Sequence, residues 1–104
     1  MALTRNFRDT IQARARRDTE FRAGLLRESL DALLAGDMAT GKALLRDYIN
    51  ATIGFEELGR LEDKSPKSLM RMFSPKGNPR ADNLFAVIST LQKQEGVQFE
   101  VRST

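Results

Sequence analysis

The stretch from Phe55 to Phe73, FEELGRLEDKSPKSLMRMF, constrains this chain more than any other. Phe55, Leu58 and Leu61 recur every third residue, which predicts a short helix with one apolar stripe facing inward. Gly59 follows Leu58, and its missing Cβ lets another helix pack closely. Glu62-Asp63-Lys64 is polar and reads as a turn. Ser65 is then a good N-cap and Pro66 suits the first helical position, so a second short helix begins there. That helix is expected to bury Leu69, Met72 and Phe73 and to leave Lys67, Ser68 and Arg71 on its other side. Two helices this short cannot bury their stripes against each other alone. The remaining chain must therefore supply a scaffold of further helices.

The scaffold is legible on both sides. Leu3, Phe7 and Ile11 recur every fourth residue and predict a first helix, whose other face carries Arg5, Arg8, Arg14, Arg16 and Arg17. Such a face can meet DNA backbone or acidic protein; the plainer alternative is a solvated amphipathic arm. Asp18 and Thr19 break the pattern and can cap a second helix, with Phe21, Leu25, Leu26, Leu30, Leu33 and Leu34 as its stripe and Gly36 as its stop. Asp37 can cap a third, where Leu44, Leu45, Tyr48, Ile49 and Ile53 make the buried face before Gly54 ends it. Tyr48 is read as a core ring with its hydroxyl at the edge.

After Phe73 the six residues SPKGNP contain two prolines, a glycine and an asparagine, which forbids regular structure. Lys76, the Gly77 amide and the Asn78 side chain could each hydrogen-bond a phosphate; the alternative is a plain connector. Arg80 to Asn83 then open a last helix with Leu84, Phe85, Val87, Ile88 and Leu91 on its buried side, stopped by Gly96. Val97-Gln98-Phe99-Glu100-Val101-Arg102 alternates apolar and polar residues and predicts a half-buried strand. A lone strand leaves its backbone unpaired, so pairing with the same strand of a second copy is expected, with Val97, Phe99 and Val101 at a dimer contact. Pairing with the N-terminus, or fraying, is the competing reading. The expected fold is all-α: five to six helices around a central helix-turn-helix, with one short C-terminal strand. Residues 1–36 form a helical extension and residues 37–104 the helix-turn-helix domain.

Composition narrows function mainly by exclusion. The chain has no histidine and no cysteine, which removes the commonest general base, the thiol nucleophile, disulfides and the usual zinc ligands. Glu56 and Glu57 are adjacent on a helix and point apart; Glu62-Asp63 reads as surface charge. No phosphate-binding glycine loop is present. No enzymatic activity, cofactor or metal is expected. No run of apolar residues could span a bilayer, and the N-terminal residues MALTRNFRD lack the apolar core of a signal peptide, so a cytoplasmic protein is expected. The net charge of +3 is unevenly distributed: residues 37–64 hold four Lys/Arg against six Asp/Glu, and residues 65–104 hold six against three. The basic excess begins where the second short helix begins, as a phosphate-binding surface requires.

A braced helix with two bases and a hydroxyl on its free face suits a DNA major groove. The stretch resembles the helix-turn-helix of Cro/C1-type DNA-binding proteins. Leu58-Gly59 fills the hydrophobic-then-small pair, Ser65 opens the second helix, and Leu69 and Met72 take its apolar positions. Asp63 stands where a turn glycine is usual, and Lys64 where a small apolar residue is usual; Asp tolerates the left-handed conformation better than most residues. Residues 43–102 further resemble the addiction-module antidote (antitoxin) family through ALLRDYINATIGFEEL, SPKSLMRMFSPKGNP, and ADNLFAVISTL followed by VQFEV. The resemblance implies a DNA-binding autoregulator, often partnered by a toxin. It does not extend to residues 1–42.

On this reading Arg71 contacts a base edge, guanine by preference, through its bidentate guanidinium. Lys67 and Ser68 contact a neighbouring base or phosphate, Ser65 a phosphate near the helix N-terminus, and Lys76 and Asn78 the backbone beside it. The expected partners are double-stranded DNA and a second copy of the chain, with a toxin protein as a further candidate. The alternative is an interaction module that neutralises a toxin through its N-terminal helices, with DNA binding secondary.

Overall fold

Local capping chemistry sets most helix ends in the computed structural model, which describes residues 5–104. Leu3 and the Arg5 side chain, both part of the first-helix reading, lie outside the described residues. The helices are α1 (Arg5–Arg17), α2 (Thr19–Leu34), α3 (Met38–Ala51), α4 (Phe55–Glu62), α5 (Pro66–Met72) and α6 (Ala81–Glu95). Asp18 accepts the Phe21 N–H at 3.0 Å and Asp37 accepts the Thr40 N–H at 3.1 Å, so both act as the N-caps expected of them. At the end of α2 the Gly36 N–H reaches the Leu33 carbonyl and the Asp37 N–H reaches the Ala32 carbonyl, the paired bonds of a Schellman stop. Gly36 there has φ +85°.

All six helices contribute to one core. Ala15 comes from α1, Leu25 and Leu26 from α2, and Leu45, Tyr48 and Ile49 from α3; Phe55 and Leu58 come from α4, Leu69 from α5, and Leu84, Val87, Ile88 and Leu91 from α6. The chain is all-helical, and no helix among the described residues is long and apolar enough to cross a membrane.

The inward faces of four helices differ from the sequence reading; in α2, Leu34 at the end of the stripe is 67% exposed. In α1, Phe7 is 52% exposed, and the inward stripe runs through Arg8, Ile11, Gln12 and Ala15. At about 100° per residue those four lie within about 100° of one another, and Phe7 lies about 90° from their mean direction. Arg8 is therefore not on the outer face. Its guanidinium pairs with the fully buried Asp47 of α3 at 3.2 Å, and Gln12 donates to the same carboxylate oxygen at 3.4 Å. Leu61 is 41% exposed because two steps of three residues carry it 120° from Phe55. Phe85 is 64% exposed, although its neighbours Leu84, Val87 and Ile88 are buried.

The C-terminal residues form no strand; indeed none occurs among the described residues. Val97 and Phe99 do turn inward, half-buried, while Gln98 and Glu100 are exposed. A strand needs a ladder, and among the described residues this segment has none; residues 1–4, part of the N-terminus named as a competing partner, lie outside them. The segment lies along α6 instead: the Val97 N–H donates to the Gln92 carbonyl at 3.1 Å, and the Phe99 N–H to the Gln92 side-chain carbonyl at 2.8 Å.

One buried carboxylate ties three helices, and its arginine partner reaches a fourth. Glu95, near the end of α6, accepts from Arg22 Nε of α2 at 2.8 Å and from the Tyr48 hydroxyl of α3. Arg22 also donates to the Ala15 carbonyl of α1 at 3.2 Å. Burial, then the bond to Glu95, pushes the Tyr48 phenol well above its usual value, so it remains a donor at neutral pH. An unfolded tyrosine ionises near pH ~10. Because the folded value is higher, this contribution is complete below that pH and is lost as pH rises through the folded value. Chemical denaturation of Tyr48→Phe should show a loss of about 1.5–3 kcal/mol at neutral pH. Its stability should then decline less steeply than that of the wild type above pH ~10.

Candidate nucleic-acid interface

Asp63 allows α4 to turn sharply into α5. It sits in the left-handed region at φ 53° and ψ 48°, the one non-glycine residue among those described with positive φ. The chain returns so closely that a Cβ at Gly59 would lie 2.6 Å from the Lys64 carbonyl oxygen and 3.4 Å from Pro66 N. The bare glycine is thus needed by the turn and the first residue of α5, where the sequence reading expected the body of a packed helix. Ser65 accepts the Ser68 N–H at 3.1 Å and donates to the Ser68 hydroxyl at 2.9 Å. Pro66 holds the first helical position. Below, Leu69 and Phe73 are fully buried, and the Phe73 ring meets Phe55 of α4 with centroids 6.3 Å apart and planes tilted by 49°.

The opposite side of α5 is open. Lys67, Ser68 and Arg71 are exposed, and Lys67 and Arg71, one turn apart, share a face. The Ser65 hydroxyl is engaged as both acceptor and donor, whereas the Ser68 hydroxyl keeps its own proton to give. Lys76 and Asn78 are exposed in the loop that follows. The Gly77 amide is not available to a ligand: it donates to the Ser74 carbonyl at 3.0 Å.

Residues 64–81 carry Lys64, Lys67, Arg71, Lys76 and Arg80 and no carboxylate. Arg80 pairs weakly with Asp82 at 3.4 Å. The other four make no ion pair within the described chain. Elsewhere Arg8 pairs with Asp47, Arg14 with Asp18, Arg22 with Glu95, Arg60 with Glu57 and Arg102 with Glu100, whereas Arg16, Arg17, Arg27 and Lys93 make no ion pair among the described residues. Arg14 also lies over the Phe21 ring, 4.5 Å from its centroid.

Two residues that support this surface were not singled out in the sequence. Lys42, only 6% exposed, donates to the carbonyls of Ser74 at 3.0 Å, Pro75 at 3.4 Å and Gly77 at 2.6 Å. Arg46, one turn further along α3, donates to the Phe73 carbonyl at 3.1 Å. Burial, then repulsion from Arg8, lowers the Arg46 pKa from its usual value. Two cations thus meet the carbonyl-rich C-terminal end of α5, where the helix dipole favours positive charge. One signal was available: Lys42 falls on the same helical stripe as Leu45 and Ile49, so its long side chain must leave the core towards acceptors.

No family model, curated protein or solved structure matches this chain.

Proposed function

We propose that this protein is a sequence-specific, DNA-binding transcriptional regulator of the helix-turn-helix type, an antitoxin-like autorepressor acting in the cytoplasm as a homodimer. The observation that carries the reading is the acid-free segment 64–81, which holds four cations without an ion pair, two of them, Lys67 and Arg71, on the open side of a braced, capped helix. In this reading Arg71 pairs with a guanine edge, Lys67 and Ser68 meet an adjacent base or phosphate, and Ser65, Lys76 and Asn78 lie along the backbone.

A fluorescence-anisotropy titration with DNA from immediately upstream of the gene, beside a scrambled duplex, tests this. Tighter binding to the native duplex, falling steeply with salt, is the expected result. Equal and weak binding to both duplexes would overturn it. Arg71→Ala should weaken specific binding by about 1–3 kcal/mol and relax discrimination at one base pair. Stability should hardly change, since Arg71 is exposed and unpaired.

The second copy is proposed to meet the C-terminal segment. Gln98 and residues 100–102 make no main-chain hydrogen bond among the described residues, and beside them lies a groove of about 490 Å³ lined by Leu34, Leu84, Phe85, Phe99 and Val101. An antiparallel pair centred on Val101 would set Glu100 opposite Arg102 of the second copy on both sides of the two-fold axis. Val101, 79% exposed, contributes little to the isolated fold. Val101→Asp should therefore leave the melting temperature of the monomer unchanged and shift sedimentation equilibrium from dimer to monomer. A toxin-neutralising role through α1 has less support, because Arg8 is drawn inward to Asp47 and Arg14 is engaged with Asp18 and Phe21, which leaves Arg16 and Arg17 as its unpaired arginines among the described side chains.

A further inference from the structure

The buried ammonium of Lys42 fixes which way the SPKGNP loop presents its main chain. Three carbonyls, those of Ser74, Pro75 and Gly77, converge on Nζ. No peptide bond described is cis. In a trans peptide the carbonyl and the next residue's N–H point in opposite directions. The peptide following Ser74 has no N–H because Pro75 supplies its nitrogen. The N–H groups of Lys76 and Asn78 are therefore directed away from Lys42. Neither has an acceptor within the described chain, and both residues are exposed. Gly77, between them, is internally bonded, and any Cβ on it would overlap the Arg71 carbonyl oxygen. The loop is thus pressed against the end of α5 with its carbonyls drawn inward.

We infer that Lys42 is the positioning residue of a phosphodiester site formed by the outward N–H groups of Lys76 and Asn78, together with the Lys76 ammonium and the Asn78 side-chain amide. The inference takes its ligand from the DNA-binding reading and adds how one backbone phosphate is held. Paired, outward main-chain donors make an anion-binding concavity, and a neighbouring ammonium supplies the charge. Lys42 never touches the phosphate. It neutralises the carbonyl dipoles that would otherwise turn towards it. A free loop of this composition would sample many arrangements and would have to be ordered at the moment of binding. The three bonds to Lys42 supply that order in advance.

Backbone amide NMR on the full-length protein tests this directly. Titration with inorganic phosphate, against sodium chloride at matched ionic strength, should shift the Lys76 and Asn78 amide resonances saturably and leave Gly77 little changed. Lys42→Met keeps the length of the side chain and removes its donors. The variant should retain its helical circular dichroism and lose both shifts, and Lys42→Arg should recover part of them. With the upstream duplex, Lys42→Met should make the log–log salt dependence shallower by about one. Wild-type amides that fail to move with phosphate overturn the inference, whatever the variants do. So do shifts that survive unchanged in a folded Lys42→Met protein. Duplex binding without movement of these two amides removes the loop site and leaves the regulator reading in place. Phosphate shifts without binding to any duplex remove the regulator reading and leave the loop site.

Discussion

Glu95→Ala is expected to lower the free energy of unfolding by about 3–5 kcal/mol, because it breaks a buried pair by removing one partner. The Glu95 side chain is 3% exposed, and both of its donors would remain. Arg22 would keep its bond to the Ala15 carbonyl but lose its counter-charge. Tyr48, in the middle of the core, would lose the acceptor for its hydroxyl. The pair spans 73 residues of sequence, so it joins the end of α6 to the N-terminal half of the fold. A domain of this size is typically stable by about 5–15 kcal/mol in total. The melting temperature should fall by roughly 4–8 °C per kcal/mol. Glu95→Gln is the informative control. It keeps an acceptor for Tyr48 and removes only the charge opposite Arg22, so its loss should be smaller. Equal losses would mean that the ionic contact with Arg22, and not the hydrogen bond to Tyr48, carries the effect.

The same cluster marks where sequence reasoning stops. Helix ends are encoded within a few residues, so Asp18, Asp37 and Ser65 could be recognised as caps from their neighbours alone. Asp63 could be recognised as tolerant of a left-handed turn for the same reason. Contacts between polar side chains far apart carry no such local signature. Arg8 and Asp47 are separated by 39 residues, and Lys42 by 32 from the Ser74 carbonyl that it holds. An arginine on an amphipathic helix looks solvent-facing until its partner is known, which is why Arg8 is assigned to the wrong face from sequence.

Apolar periodicity gave most of the core but overreached at the ends of stripes. Phe85 and Leu34 satisfy the helical spacing, yet both border the open groove. Spacing identifies residues that can be buried; it does not say whether the chain has enough partners to cover them. The open side of α5 was easier to anticipate. A seven-residue helix with Leu69 inward and a buried Phe73 at its C-cap has little choice about where Lys67 and Arg71 must stand.

That dependence leads to the second large effect. Phe73→Ala should cost about 3–5 kcal/mol, the usual range for truncating a fully buried phenylalanine. The ring is the last apolar anchor of α5, it packs on Phe55, and its carbonyl receives Arg46. A helix this short has almost no stability of its own. Losing the ring should therefore loosen α5 and the loop behind it before the longer helices separate. Hydrogen exchange should show faster opening of residues 66–77 in Phe73→Ala at temperatures where α2 and α3 remain protected. If α5 reads DNA, the same variant should also weaken binding although Phe73 itself is buried and out of reach of any duplex. Arg71→Ala provides the contrast, with weak binding and an unchanged melt. The two substitutions together separate a residue that would contact DNA from one that holds the contacting surface in place. An unchanged exchange pattern in Phe73→Ala would mean that Leu69 and the capping bonds of Ser65 suffice to anchor α5 without it.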